Sequence, residues 1–159
     1  MRFIFLTFYL VVFNVFCEQP SHDSFTISSA SFEEPWEHYK ATIFSDGTTV
    51  LIIENGTFVS RTFKIENSAD TFLEILQLLD SYQFTLFSDS YGMNMEGVDP
   101  QCKKMVPHNP FSILSFQYAG QDKTVRIDHG CKGFERENEL NTLSKRLKNK
   151  MGLMDYVGT

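Results

Sequence analysis

Two dipeptides, Asp46-Gly47 and Asn55-Gly56, bracket the short β-branched run Thr48 to Glu54. Each is a strong two-residue hairpin signal, because glycine accepts the positive φ that tight hairpin turns demand. Before the first turn, Trp36 to Ser45 alternates, with Tyr39, Ala41 and Ile43 on one face and His38, Lys40 and Thr42 on the other. After the second, Thr57 to Ile65 places Val59, Phe63 and Ile65 on one face. Connections this short join only antiparallel strands, so this part of the chain is committed to a three-stranded meander.

The remaining pattern adds strands and two helices. Phe25 to Ala30 reads as a short strand, followed by a loop from Ser31 to Pro35. Asn67 and Ser68 offer helix N-caps, Asp70 and Glu74 suit the positive end of a helix dipole, and Phe72, Ile75, Leu76 and Leu79 form one apolar stripe ending near Ser81. Phe84 to Pro110 contains Gly92, Gly97, Pro100, Pro107 and Pro110 and is the least regular stretch. Phe111 to Tyr118 and Lys123 to His129 read as a strand pair about a turn at Ala119-Gly120-Gln121-Asp122, with Val125 and Ile127 inward. From Phe134 to Met151, Leu140, Leu143, Leu147 and Met151 recur at helical spacing. Glutamates crowd the start of that helix and Lys145, Arg146, Lys148 and Lys150 its end, matching the macrodipole, with Gly152 as the residue that stops it. Strands, helix, strands, helix with short hairpins predict an α+β fold: a mainly antiparallel sheet of about five to six strands with two helices packed on one face.

The N-terminus has a different character. Arg2 precedes a run from Phe3 to Phe16 broken only by Thr7 and Asn14. A spanning helix needs about 20 apolar residues, whereas this run has the length of a signal-peptide core. Val15 and Cys17 suit the −3 and −1 positions of a cleavage site, leaving Glu18 first. The expected organisation is a signal peptide over 1–17, a flexible polar leader over 18–24 and a single α+β domain over 25–159. Two alternatives stand beside cleavage: lipidation at Cys17, which the bulky Phe16 disfavours, and an uncleaved anchor.

Removing 17 of 159 residues leaves 142, ample for one domain core. The net charge moves from −6 to −7 with the loss of Arg2, and an acidic surface repels phosphate backbones, which argues against a nucleic-acid partner. Of three cysteines, Cys102 and Cys131 survive cleavage. An even pair outside the cytoplasm reads as one disulfide. The rivals are free thiols and a metal site of Cys102, His108, His129 and Cys131, whose spacings are not those of a zinc knuckle.

The run from Tyr39 to Val50, Tyr-Lys-Ala-Thr-Ile-Phe-Ser-Asp-Gly-Thr-Thr-Val, resembles the opening hairpin of an uncharacterised, often exported bacterial domain family with a Y-x-hydrophobic-x-I-x-x-D-G-x-V signature. The helix Phe72 to Leu79, the segment Asp89-Ser90-Tyr91, the strand pair 111–129 and the final helix look similar as well. Members often carry cysteines before the hairpin, where this chain has Ser31-Phe32-Glu33-Glu34-Pro35-Trp36. The resemblance implies an architecture and supplies no activity.

Few residues point to chemistry. No G-x-S-x-G, H-E-x-x-H, P-loop or EF-hand pattern occurs. Asp128-His129 closes a strand beside Cys131, and a cysteine–histidine pair can be nucleophilic, but an oxidised cysteine cannot attack. Asp89, Glu96 and Asp99 read as solvated loop acids, and Asn55-Gly56-Thr57 is a glycosylation sequon that its turn role explains equally well. The chain is therefore expected to be a non-enzymatic extracytoplasmic module, periplasmic or secreted, with no cofactor and no membrane span after cleavage. Its partner would be a protein or small molecule, bound on a surface carrying His38, Lys40, Thr42, Asp128 and His129. The alternative is a small metal-dependent or hydrolytic enzyme using Asp128, His129 and the 84–110 loop.

Overall fold

The structure, a computed structural model, describes residues 23–31, 37–55, 60–94 and 97–157. The expected signal peptide over 1–17, most of the leader, Trp36, the Gly56 turn, Thr57 to Val59 and Glu96 lie outside the described residues.

The chain runs through β1 (Ser24–Ala30), β2 (Glu37–Phe44), β3 (Thr48–Asn55), β4 (Ser60–Glu66) and helix α1 (Ala69–Ser81). A 3-10 turn (Phe84–Leu86) leads into four two-residue strands, β5 (Ser90–Tyr91), β6 (Met93–Asn94), β7 (Gly97–Val98) and β8 (Lys104–Met105). Then come β9 (Phe111–Tyr118), β10 (Gln121–Asp128), β11 (Cys131–Lys132), α2 (Glu137–Lys150) and the short α3 (Met154–Val157).

Seven strands form one sheet in the order β4-β3-β2-β1-β9-β10-β5. Every pair is antiparallel except β5 on β10, where Ser90 and Tyr91 stand opposite Arg126 and Ile127. The fold is α+β, as the pattern predicts. The seventh strand is β5, which comes from within the stretch read as irregular; two residues carry no alternation that could announce a strand.

Alternation sets the faces. Phe25 and Ile27 on β1, Ala41 and Ile43 on β2, Leu51 and Ile53 on β3, Leu114 and Phe116 on β9, and Val125 and Ile127 on β10 point into one core. The helical stripes close it: Phe72, Ile75 and Leu79 from α1, and Leu140, Leu143, Leu147 and Met151 from α2. Burying side chains of this size contributes about 1.5–3 kcal/mol each, and this layer is the main source of stability.

The first hairpin forms at Asp46-Gly47, although its loop is the three residues Ser45 to Gly47, with the Gly47 N–H donating to the Phe44 carbonyl at 2.9 Å and the Thr48 N–H donating to Asp46 Oδ1 at 2.8 Å. That bond holds the Asp46 carboxyl below its ordinary pKa. The β9–β10 turn is tighter than the sequence suggests. It consists of Ala119 and Gly120 alone, both at positive φ (50° and 77°), so β10 already begins at Gln121. The Ala119 N–H donates to Asp23 Oδ1 at 3.0 Å, a contact that helps hold this left-handed alanine.

Helix ends differ in detail. Ser68 is the N-cap of α1 but makes no capping side-chain bond, and Asn67 instead donates to Thr49 Oγ1 at 3.0 Å. α2 starts three residues later than the periodicity suggests, at Glu137. Phe134 leaves the helix to stack on Tyr91, ring centroids 4.2 Å apart.

Candidate functional site

The side of the sheet away from the helices carries His38, Lys40 and Thr42 on β2. His38 stands opposite Ala30 and Glu54, Lys40 opposite Ser28 and Ile52, and Thr42 opposite Thr26 and Val50. Half-buried Val50, Ile52, Phe111 and Ile113 alternate with these polar groups. A shallow depression of about 280 Å³ opens at the strand ends, lined among others by Ser28, Ala30, His38, Lys40, Glu54 and Phe111.

A row of hydroxyls crosses this face. Thr42 and Thr26 share a hydrogen bond at 2.9 Å, Thr26 stands opposite Ser115, and Ser115 shares one with Thr124 at 2.7 Å. Of the four, only Thr42 was singled out by sequence reasoning. The alternation of each strand places its own hydroxyl on this face, but register alone lines the four up.

The other two expected surface residues are placed differently. Asp128 continues the row of His38, Ala30 and Phe111 but is 8% exposed. Its Oδ1 accepts the Gly130 N–H at 2.8 Å, and its Cβ presses on Gly92, where an added Cβ would come within 2.3 Å. This carboxylate shapes the turn after β10 and presents little surface to a partner.

His129 turns to the helix side, where its Nε2 and Ser112 Oγ share a hydrogen bond at 2.8 Å. Burial holds the imidazole below its ordinary pKa, and the Lys132 and Lys148 ammonium charges push the same way against a smaller opposing effect of Asp128. Ser112, which sequence reasoning missed, is 5% exposed and is a neighbour of Ser29 across β1 and β9. A lone serine on a strand's inward face carries no sequence signal beyond its burial.

Cys102 and Cys131 are joined in a disulfide. Both thiols of the four-residue metal set are therefore spent, and among the described residues no group of three or more His, Cys, Asp or Glu is arranged to hold a metal ion. Asp89 forms an ion pair with Lys123 and Asp99 Oδ1 accepts the Gln101 N–H at 2.8 Å, so both loop acids have partners within the chain. Among the described residues no helix is long and apolar enough to cross a membrane. Compared with known proteins, the chain matches no family model and no curated sequence.

Proposed function

We propose that this protein is a non-enzymatic binding module working outside the cytoplasm, which presents the open face of its sheet to a protein partner. The observation that carries the reading is the layering. All the helical stripes lie on one side, and the other side offers a broad surface of Val50, Ile52 and Ile113 interleaved with Lys40 and the hydroxyl row. Apolar groups ringed by polar ones are the usual composition of a recognition surface. A depression as open as the one beside His38 suits one anchoring side chain of a protein better than an enclosed small molecule. The disulfide and the apolar segment ahead of Glu18 support an extracytoplasmic location, as does the Tyr39 to Val50 resemblance to an often exported family.

A photo-activated cross-linker at Lys40 is expected to give a discrete adduct in the native extracytoplasmic fraction, lost in Ile52→Glu. The same group at Leu73, on the exposed side of α1, is expected to give none. Equal adducts from both positions, or none from either, overturn the reading. Intact mass of the recovered protein tests export directly: a chain beginning at Glu18 is expected, and a retained, acylated Cys17 would replace secretion with tethering.

One contact favours a hydrolytic reading, the Ser112–His129 hydrogen bond. A triad would need a carboxylate behind the imidazole. Asp128 Oδ1 instead accepts the Gly130 N–H, which supports binding over catalysis.

A further inference from the structure

One row on the helix side of the sheet carries three hydroxyls. Tyr39, Ser29 and Ser112 stand side by side on β2, β1 and β9. Two of the three hydroxyls are satisfied within the chain: Ser29 donates to the Phe111 carbonyl at 3.2 Å, and Ser112 shares its bond with His129. Tyr39 Oη is buried and has no hydrogen-bond partner among the described residues. A buried donor without an acceptor is uncommon in native proteins and calls for an explanation.

The neighbouring cation is equally unmatched. Lys148, from the last turn of α2, holds its ammonium 5.8 Å from the centre of the Tyr39 ring. Among the described residues it has no carboxylate partner, whereas Lys132 pairs with Glu137 at 3.6 Å and Lys150 with Glu74 at 2.6 Å. Burial lowers the pKa of Lys148, and its charge reaches His129 strongly enough to oppose protonation there. The acid beside His129, Asp128, accepts the Gly130 N–H and lies on the other side of the sheet. Phenol and ammonium thus lie together at one corner of a net acidic protein, the phenol without a hydrogen-bond partner among the described residues and the ammonium without a carboxylate.

We propose that Tyr39 and Lys148 form a binding site for a small oxyanion, the carboxylate or phosphate group of a ligand arriving at the corner between β2 and the end of α2. An oxyanion accepts charge-assisted hydrogen bonds from both donors and supplies the charge that Lys148 lacks, offsetting the lysine charge that reaches His129. The site lies on the helix side of the sheet, although Tyr39 also borders the depression beside His38.

The test uses the purified protein and the imidazole proton resonances of its histidines, titrated against pH in sodium chloride, sodium phosphate and sodium acetate at matched ionic strength. A bound anion favours the charged imidazole. Phosphate or acetate is expected to raise the His129 midpoint by about one unit relative to chloride, leaving His38 and His108 where they were. A response to phosphate alone assigns a phosphorylated ligand, and a response to acetate as well assigns a carboxylate. Tyr39→Phe removes only a hydroxyl that lacks a partner, so it keeps the fold, and both it and Lys148→Gln are expected to abolish the response. The proposal is overturned if neither anion moves His129, if the other histidines move together with it, or if both variants respond like the wild type.

Discussion

Cys102 and Cys131 are bonded with their Cα atoms 5.1 Å apart, directly beside the ladder in which Cys131 stands opposite Met105. The two features act together. The disulfide and the β8–β11 pairing, extended by the Val106 N–H donating to the Gly130 carbonyl at 2.9 Å, fasten the long 84–110 connection to the turn after β10. A stretch with two-residue strands and few buried apolar groups would otherwise have little to hold it.

Replacing both cysteines by serine is expected to cost about 3.5 kcal/mol, the chain-entropy value for a loop of this length. Urea unfolding with and without reductant checks this: the wild-type midpoint should fall to that of the double variant when the bond is reduced. Amide exchange at Val106 should quicken in the same variant. An unchanged midpoint would mean that the ladder alone holds the segment.

Gly47 sits at φ +86°, and an added Cβ would lie 2.5 Å from the Ser68 backbone. Gly47→Ala therefore meets both a left-handed backbone penalty and a collision with the approach to α1. It is expected to destabilise the protein by more than about 1 kcal/mol. Thermal or urea unfolding reads the loss, which a shift within experimental error would refute.

The parts of this fold that the amino-acid order makes legible are those written in short-range signals. The Asp46-Gly47 turn, the stripe of Phe72, Ile75 and Leu79, the stripe of Leu140, Leu143 and Leu147, and the pairing of the two remaining cysteines each follow from neighbours in sequence or from a count. The Tyr39–Ala41–Ile43 face is also correct, but its meaning changes with position, because Ala41 and Ile43 lie deep under the helices while Tyr39 stands in the row of three hydroxyls. What stays hidden depends on register between distant segments. Ser112 meets His129 across the β9–β10 hairpin, and Lys148 reaches Tyr39 from the other end of the chain. β5 exists only because β10 offers its outer edge to Ser90 and Tyr91. Asp128 and His129, adjacent in sequence, part to opposite sides of the sheet because alternation separates neighbours.

His129 should give the protein an acid-sensitive stability. Its folded pKa lies below the ordinary value of about 6.5, so between those two values the unfolded chain binds more protons than the folded one. Stability is then constant above the unfolded pKa and falls as pH drops through it. Urea midpoints at neutral pH and about one to two units lower should show this loss in the wild type, and His129→Gln should flatten it. Asp46, whose pKa is also lowered, acts only at the more acidic pH of carboxylates and does not blur the comparison.

Tyr39 should produce the mirror effect at high pH. Burial pushes its phenol up to about 12, while an unfolded tyrosine ionises near 10. In that interval the folded chain keeps a proton that the unfolded chain has lost, so stability declines as pH rises above the unfolded value. Tyr39→Phe removes the group and with it this share of the decline. Because the hydroxyl has no partner to leave behind, the substitution should also be neutral or mildly stabilising at pH 7. Unfolding midpoints at pH 7 and near pH 11, together with the phenolate absorbance of wild type and variant, separate the two statements. A Tyr39→Phe protein markedly weaker at pH 7 would show that the hydroxyl has a partner in solution.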